Sequence, residues 1–234
     1  MAGHARWMGM AIGCAALTLG AAAPSTTELA QVLAAFDAAQ QRTTSIVAEF
    51  TEEKNISLLA KPVVARGVFT FQRPNHVRWE YRDPETRLYV ITEQQYVAYI
   101  PSQKKAEEVP ISRFLGKRLF RFIGLGQSIA DLETLYDFRL EPESDLPGTH
   151  LLVLTPHKKR VQDKVAEIRI WVDRTNSLPR RFRYLEADGD STTLTFRDSK
   201  ANVEVAAGSF DVTIPSGVAV TNTFNGFALG GGAF

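Results

Sequence analysis

Cysteine is almost missing from this chain, which holds a single one, Cys14, in 234 residues. One thiol cannot form an intramolecular disulfide, and paired-thiol redox chemistry and cysteine-rich zinc sites are excluded with it. An excess of one charge is missing too. Lys and Arg number 27 against 26 Asp and Glu, so the concentrated basic footprint of a nucleic-acid binder is absent. Histidine is scarce. Beyond His4 only His76, His150 and His157 occur, and none are paired at the i, i+4 spacing of a helical zinc site. There is no Gly-x-Ser-x-Gly elbow and no phosphate-binding loop. The adjacent acids Glu52-Glu53 and Glu107-Glu108 alternate across strands rather than converge, and read as solvated surface. These absences argue against an enzyme, and no cofactor or metal is expected.

Long apolar runs are lacking as well. Trp7 to Leu19 is apolar but too short to span a bilayer, and nothing downstream approaches the ~18 residues required. With Arg6 before it and Gly20-Ala21-Ala22-Ala23 after it, ahead of Pro24, the run has the form of a secretory signal peptide cut after Ala22 or Ala23. Too few apolar residues separate Arg6 from Cys14 for lipid attachment there, so Cys14 is expected to leave with the leader. Because Arg6 leaves too, the mature chain is electrically balanced, and the expected location is a periplasm. The expected division is a leader at 1–23, a single domain at 24–222 and a glycine-rich apolar tail at 223–234, acting as a monomer.

What is present is mostly β. A capping box, Ser25-Thr26-Thr27-Glu28, opens one helix carrying Leu29, Val32, Leu33 and Phe36. After Arg42 the apolar period changes to two, predicting strands at 45–54, 67–73, 76–82, 87–92 and 96–100. Turns this short admit hairpins and exclude βαβ crossovers. From Ile111 to Leu135 the helical period returns, with Phe114, Leu115, Leu119, Phe122 and Ile123 on one side, a break at Gly124-Leu125-Gly126, and Ser128 capping a segment with Ile129, Leu132 and Leu135. Strands resume at 136–141, 150–155, 165–173, 180–187, 191–197 and 210–214, with Asp188-Gly189 as a hairpin turn.

Residues two apart share a strand face. Phe69 and Phe71 therefore point with Arg73, Val77 and Trp79 with Tyr81, and Ile168 with Ile170 and Val172, opposite Arg78, Glu80, Arg169 and Trp171. One face is oily and aromatic and the other charged, which predicts a curved sheet with few helices to cover it.

The run Arg66-Gly67-Val68-Phe69-Thr70-Phe71-Gln72-Arg73-Pro74-Asn75-His76-Val77-Arg78-Trp79-Glu80-Tyr81, continued by Tyr99-Ile100-Pro101 and a closing Phe210-x-Val212-x-Ile214-Pro215-x-Gly217-Val218, resembles the outer-membrane lipoprotein carrier family, the LolA-like proteins. The resemblance implies a mainly β fold with helices: an incomplete, half-open antiparallel β-barrel with an N-terminal helix and a central helical lid over its concave hydrophobic face. It also implies a periplasmic carrier that takes acylated lipoproteins from an inner-membrane transporter to an outer-membrane acceptor. Another acyl lipid as cargo, or a lipoprotein-sensing adaptor of the same fold, stays open. By resemblance Arg73 is the latch that holds the lid through its backbone carbonyls, while the glycine break in the helical pattern marks Gly124 and Gly126 as the hinge. The expected cavity and lid residues are Phe50, Phe69, Phe71, Trp79, Tyr81, Val97, Tyr99, Leu115, Leu119, Phe122, Ile123, Leu132, Ile168 and Ile170.

Overall fold

The computed structural model describes residues 24–111, 128–142 and 144–224. The expected leader, the glycine-rich end from 225 onward and the expected lid residues Leu115, Leu119, Phe122, Ile123, Gly124 and Gly126 lie outside the described residues.

Helix α1, Thr26–Arg42, starts where Ser25 accepts from the Glu28 backbone N–H at 3.1 Å. Among the described residues twelve strands follow in one sheet: β1 Ser45–Asn55, β2 Val63–Gln72, β3 His76–Asp83, β4 Arg87–Ile91, β5 Gln95–Ile100, β6 Lys105–Pro110, β7 Tyr136–Leu140, β8 Thr149–Pro156, β9 Val165–Asp173, β10 Pro179–Glu186, β11 Ser191–Ala201 and β12 Ala219–Thr221. Short helices α2, Ile129–Glu133, and α3, Lys159–Gln162, precede β7 and β9. The spatial order is β12-β6-β5-β4-β3-β2-β1-β11-β10-β9-β8-β7. The sheet is therefore unclosed, and antiparallel except where β12 joins β6 in parallel. The hairpin-only connectivity expected from the short turns holds through β1–β6. One long-range pairing, β1 with β11, welds the two halves.

Two cores occupy the inner face. The first spans β1–β6 and is aromatic, built around Phe50, Phe69, Phe71, Tyr81, Tyr89 and Tyr96. The second is aliphatic: Val32, Leu33 and Phe36 of α1 lie against Leu152, Leu154, Val165, Ile168, Ile170 and Val172. Among the described residues, the single helix of useful length thus covers only one half of the sheet. Asp37 of α1 also accepts from the Ile129 backbone N–H at 3.2 Å, tying α2 to α1.

Outside, the expectation of a purely charged face fails in two places. Trp171 lies beneath Leu151, Val153 and Leu146 in a small third cluster. After β11 the chain does not form the strand expected at 210–214; it runs as an arm across the outer face. Ser45 donates to Val203 O, Arg78 Nη1 reaches Ser209 O at 3.2 Å, and Phe210 stands 5.2 Å from the His76 ring. Crossing a face rather than meeting an edge, the arm has no ladder to join until β6, where β12 forms. Val90 and Val97, outward-facing and in the same row as Arg78, are only 1% exposed.

Candidate functional site

Strand register sets the inner face in rows. Ile46, Phe71, Val77, Ile91, Tyr96 and Val109 form one row, and Ala48, Phe69, Trp79, Tyr89, Ala98 and Glu107 the next. A third places Gly67 between Phe50 and Tyr81, with Phe196 of β11 beyond Phe50. Small residues alternate with rings, which lets the rings meet: Phe50 lies 5.1 Å from Trp79 and 4.9 Å from Tyr81, and Phe69 lies 4.5 Å from Trp79. Edge-on and tilted pairs of this kind each add about 0.5–1.5 kcal/mol beyond burial.

Of the expected cavity residues, Phe50, Phe69, Phe71, Trp79 and Tyr81 lie together on this face. Val97 and Tyr99 do not. They alternate with Tyr96 and Ala98 and face outward, paired with Val90 and Leu88. Ile168, Ile170 and Leu132 belong to the aliphatic core under α1, where an ordinary helix-on-sheet contact accounts for their burial. The candidate site is accordingly narrower than expected, one aromatic half of the sheet. Tyr89, Tyr96, Leu194 and Phe196 join it; the sequence reading did not place them in the cavity.

Two acids also lie on this face, contrary to the solvated surface expected of them. Glu107 is 0% exposed and Glu52 7%. Tyr81 Oη donates to Glu52, and Lys54 Nζ approaches the same carboxylate at 3.2 Å, so the buried charge is partnered. Burial pushes the Tyr89 hydroxyl up to about 12. Tyr81 and Tyr96 are raised as well, first by burial and then by the charges of Glu52 and Glu107. The folded state therefore holds these phenols protonated where an unfolded chain would ionise them near pH 10. Stability from this source is full below about pH 10 and is lost as pH rises through about 12, a fall of ~2–3 kcal/mol for Tyr89 alone. Denaturant melts across that window check this, and Tyr89→Phe should shallow the fall.

Arg73 lies just past β2 and continues its ladder, its backbone N–H donating to Thr44 O at 2.8 Å. The residue is exposed, yet its guanidinium is engaged: Nε donates to Thr43 O at 2.8 Å and Nη2 to Gln40 O at 2.9 Å. Both acceptors are at the C-terminal end of α1, where helix carbonyls lack intrahelical partners and favour a cation. The carbonyls it holds are thus those of α1, whereas the expectation placed them on the central lid. Ile46, Phe71, Leu178 and Pro179 border a small pocket beside the guanidinium. Ile111 packs against the aromatic half, and Ile129 lies in the aliphatic core under α1.

An unclosed, mainly antiparallel β-sheet with an aromatic inner face defines a half-barrel fold. The family described as outer membrane lipoprotein carrier protein LolA matches residues 41–213, and the chain belongs to that family. An outer-membrane lipoprotein carrier protein of Bordetella avium strain 197N is 26% identical over 200 residues, covering 82% of this chain and 91% of that protein. Another of that name, from Cupriavidus pinatubonensis strain JMP 134, is 27% identical over 213 residues, covering 88% and 94%. Among solved structures, an uncharacterized conserved protein from Thermus thermophilus superposes with a TM-score of 0.53 at 17% identity, covering 83% of this chain and 99% of that one; this likeness concerns the fold.

Proposed function

We propose that this protein is a periplasmic carrier that receives the acyl chains of lipoproteins on its aromatic inner face and shuttles them from an inner-membrane transporter to an outer-membrane acceptor. The observation that carries this reading is the distribution of cover: α1 lays its apolar side on the aliphatic half and contributes no residue to the aromatic cluster. Membership of the carrier family supports the same reading. Each methylene removed from water contributes ~0.8 kcal/mol, so an acyl chain gains several kcal/mol on such a face. A carrier must also give that energy back on release. In the chain, residues 112–127 connect the two cores, and in this reading they serve as the lid, with Gly124 and Gly126 as its hinge and Leu115, Leu119, Phe122 and Ile123 as its ligand-facing residues.

The test is to purify the mature protein from its own periplasm and identify co-purifying lipids and acylated peptides by mass spectrometry. Acylated lipoproteins are the expected finding. A preparation that carries no acyl species and displaces no fluorescent fatty acid overturns the reading, and another acyl lipid alone would reassign the cargo.

Arg73 is the proposed latch, acting through α1. Its two charge-assisted bonds favour the closed arrangement, against which a bound ligand must compete. Arg73→Leu should cost only ~1–2 kcal/mol of stability, since the group is exposed. Uptake should remain, while transfer from carrier to acceptor slows, because the closing force that helps expel the ligand is gone. Unchanged transfer kinetics would remove the latch role.

A further inference from the structure

Two hydrogen-bond donors on the inner face, Trp79 Nε1–H and Tyr96 Oη–H, are sealed from solvent and have no hydrogen-bond partner among the described residues. The Trp79 ring is surrounded by Phe50, Phe69 and Phe196 at 5.1, 4.5 and 6.1 Å, none of which carries an acceptor atom. Tyr96 is 0% exposed, stands 5.2 Å from the Phe224 ring and is paired in the sheet with Ile91 and Val109. Two comparable groups are satisfied, Trp171 donating to Asp145 and Tyr81 to Glu52, whereas the Tyr89 hydroxyl on the same face also lacks a hydrogen-bond partner but has the Arg87 guanidinium acting on it. An orphaned buried donor carries a desolvation penalty that folded proteins rarely tolerate without a functional reason. Here Trp79 and Tyr96 both lie on the face that no described helix of useful length covers.

The chemistry of the pair narrows what it meets. An indole N–H only donates, so the ligand must present an acceptor. Around Trp79 the contacts are uncharged rings, and beside Tyr96 stands the Glu107 carboxylate, whose charge reaches the phenol and disfavours an anion there. A neutral carbonyl oxygen fits both positions. β4 separates the two strands and the two residues stand in neighbouring rows, so their backbones are about 12 Å apart, enough for two acyl chains lying side by side.

We propose that Trp79 and Tyr96 recognise the carbonyl oxygens of fatty-acyl ester and amide linkages, one donor to each of two chains, so that the face distinguishes acylated ligands from equally greasy ones without carbonyls. This rests on the carrier reading above and specifies how its site selects a ligand.

The experiment compares calorimetric binding of a diacylglyceryl peptide with that of its dialkyl-ether counterpart of equal chain length, using the mature protein and its Trp79→Phe, Tyr96→Phe and doubly substituted variants. The wild type should prefer the ester by about tenfold. Each single variant should lose part of that preference and the double variant nearly all of it, the ester-to-ether ratio within each variant cancelling whatever apolar contact the substitution removes. Equal binding of ester and ether by the wild type, or an undiminished preference in the double variant, overturns the proposal and leaves the carrier reading standing. Failure of the wild type to bind either ligand overturns both.

Discussion

Replacing Gly67 with valine is expected to lower stability by about 3 kcal/mol or more, at or beyond the upper end of ordinary overpacking, read as a fall in denaturant midpoint. A Cβ at this position would stand 1.9 Å from the Glu80 carbonyl oxygen and 2.8 Å from Phe50 Cε1. The first is a backbone atom of the neighbouring strand, so no rotamer change can relieve the contact. The register of β2 against β3 shifts between Arg66 and Gly67, which brings the two backbones together just where the rings of Phe50 and Tyr81 close over the gap at 4.9 Å. Even Gly67→Ala must part β2 from β3 or push Phe50 off its partners, and should lie between wild type and valine. A fully stable Gly67→Val protein would mean that the aromatic half does not pack as described.

The second large effect separates the two cores. Phe36→Ala removes a side chain 2% exposed from the seam between α1 and β8–β9, and should cost ~3–5 kcal/mol. Acyl-ligand affinity of the folded fraction should stay within about twofold, because the lost ring belongs to structural packing. Trp79→Ala should do the reverse. The side chain is only half-buried, so the stability loss should be smaller, ~1–3 kcal/mol, while affinity falls at least tenfold as the rings around it lose their central contact. Stability by denaturant and affinity by calorimetry, measured on both variants, decide the matter. If Phe36→Ala weakened binding as much as Trp79→Ala, narrowing the site to the aromatic half would be wrong.

Where alternation was clean, the sequence was enough. Val77, Trp79 and Tyr81 alternate with Arg78, Glu80 and Arg82 because the outer side of β3 keeps its charged groups partly in solvent, and both faces could be read directly. In Tyr96-Val97-Ala98-Tyr99-Ile100 every residue is apolar, and the period of two vanishes. The outer face is covered here as well, Val97 being buried as deeply as Tyr96, so the choice between Val97 with Tyr99 and Tyr96 with Ala98 could not be made from composition. Leu88-Tyr89-Val90-Ile91 hides Tyr89 in the same way. Ile168 and Ile170 were placed on the inner face correctly but assigned to a cavity, since nothing local reveals which half of a sheet a helix will cover.

By itself the sequence determined the β-rich architecture, the capped first helix, the aromatic face of β2 and β3 and the family resemblance, because each rests on residues within a few positions of one another: strand period, caps, turns and a contiguous motif. Tertiary structure alone decided which part of that face is free of α1, that Glu52 and Glu107 lie inward with partners or charges around them, and that Arg73 holds the last turn of α1. Those facts depend on pairs such as β1 with β11 and Arg73 with Gln40, distant in the chain, and hydrophobic periodicity carries no record of which distant element supplies the cover.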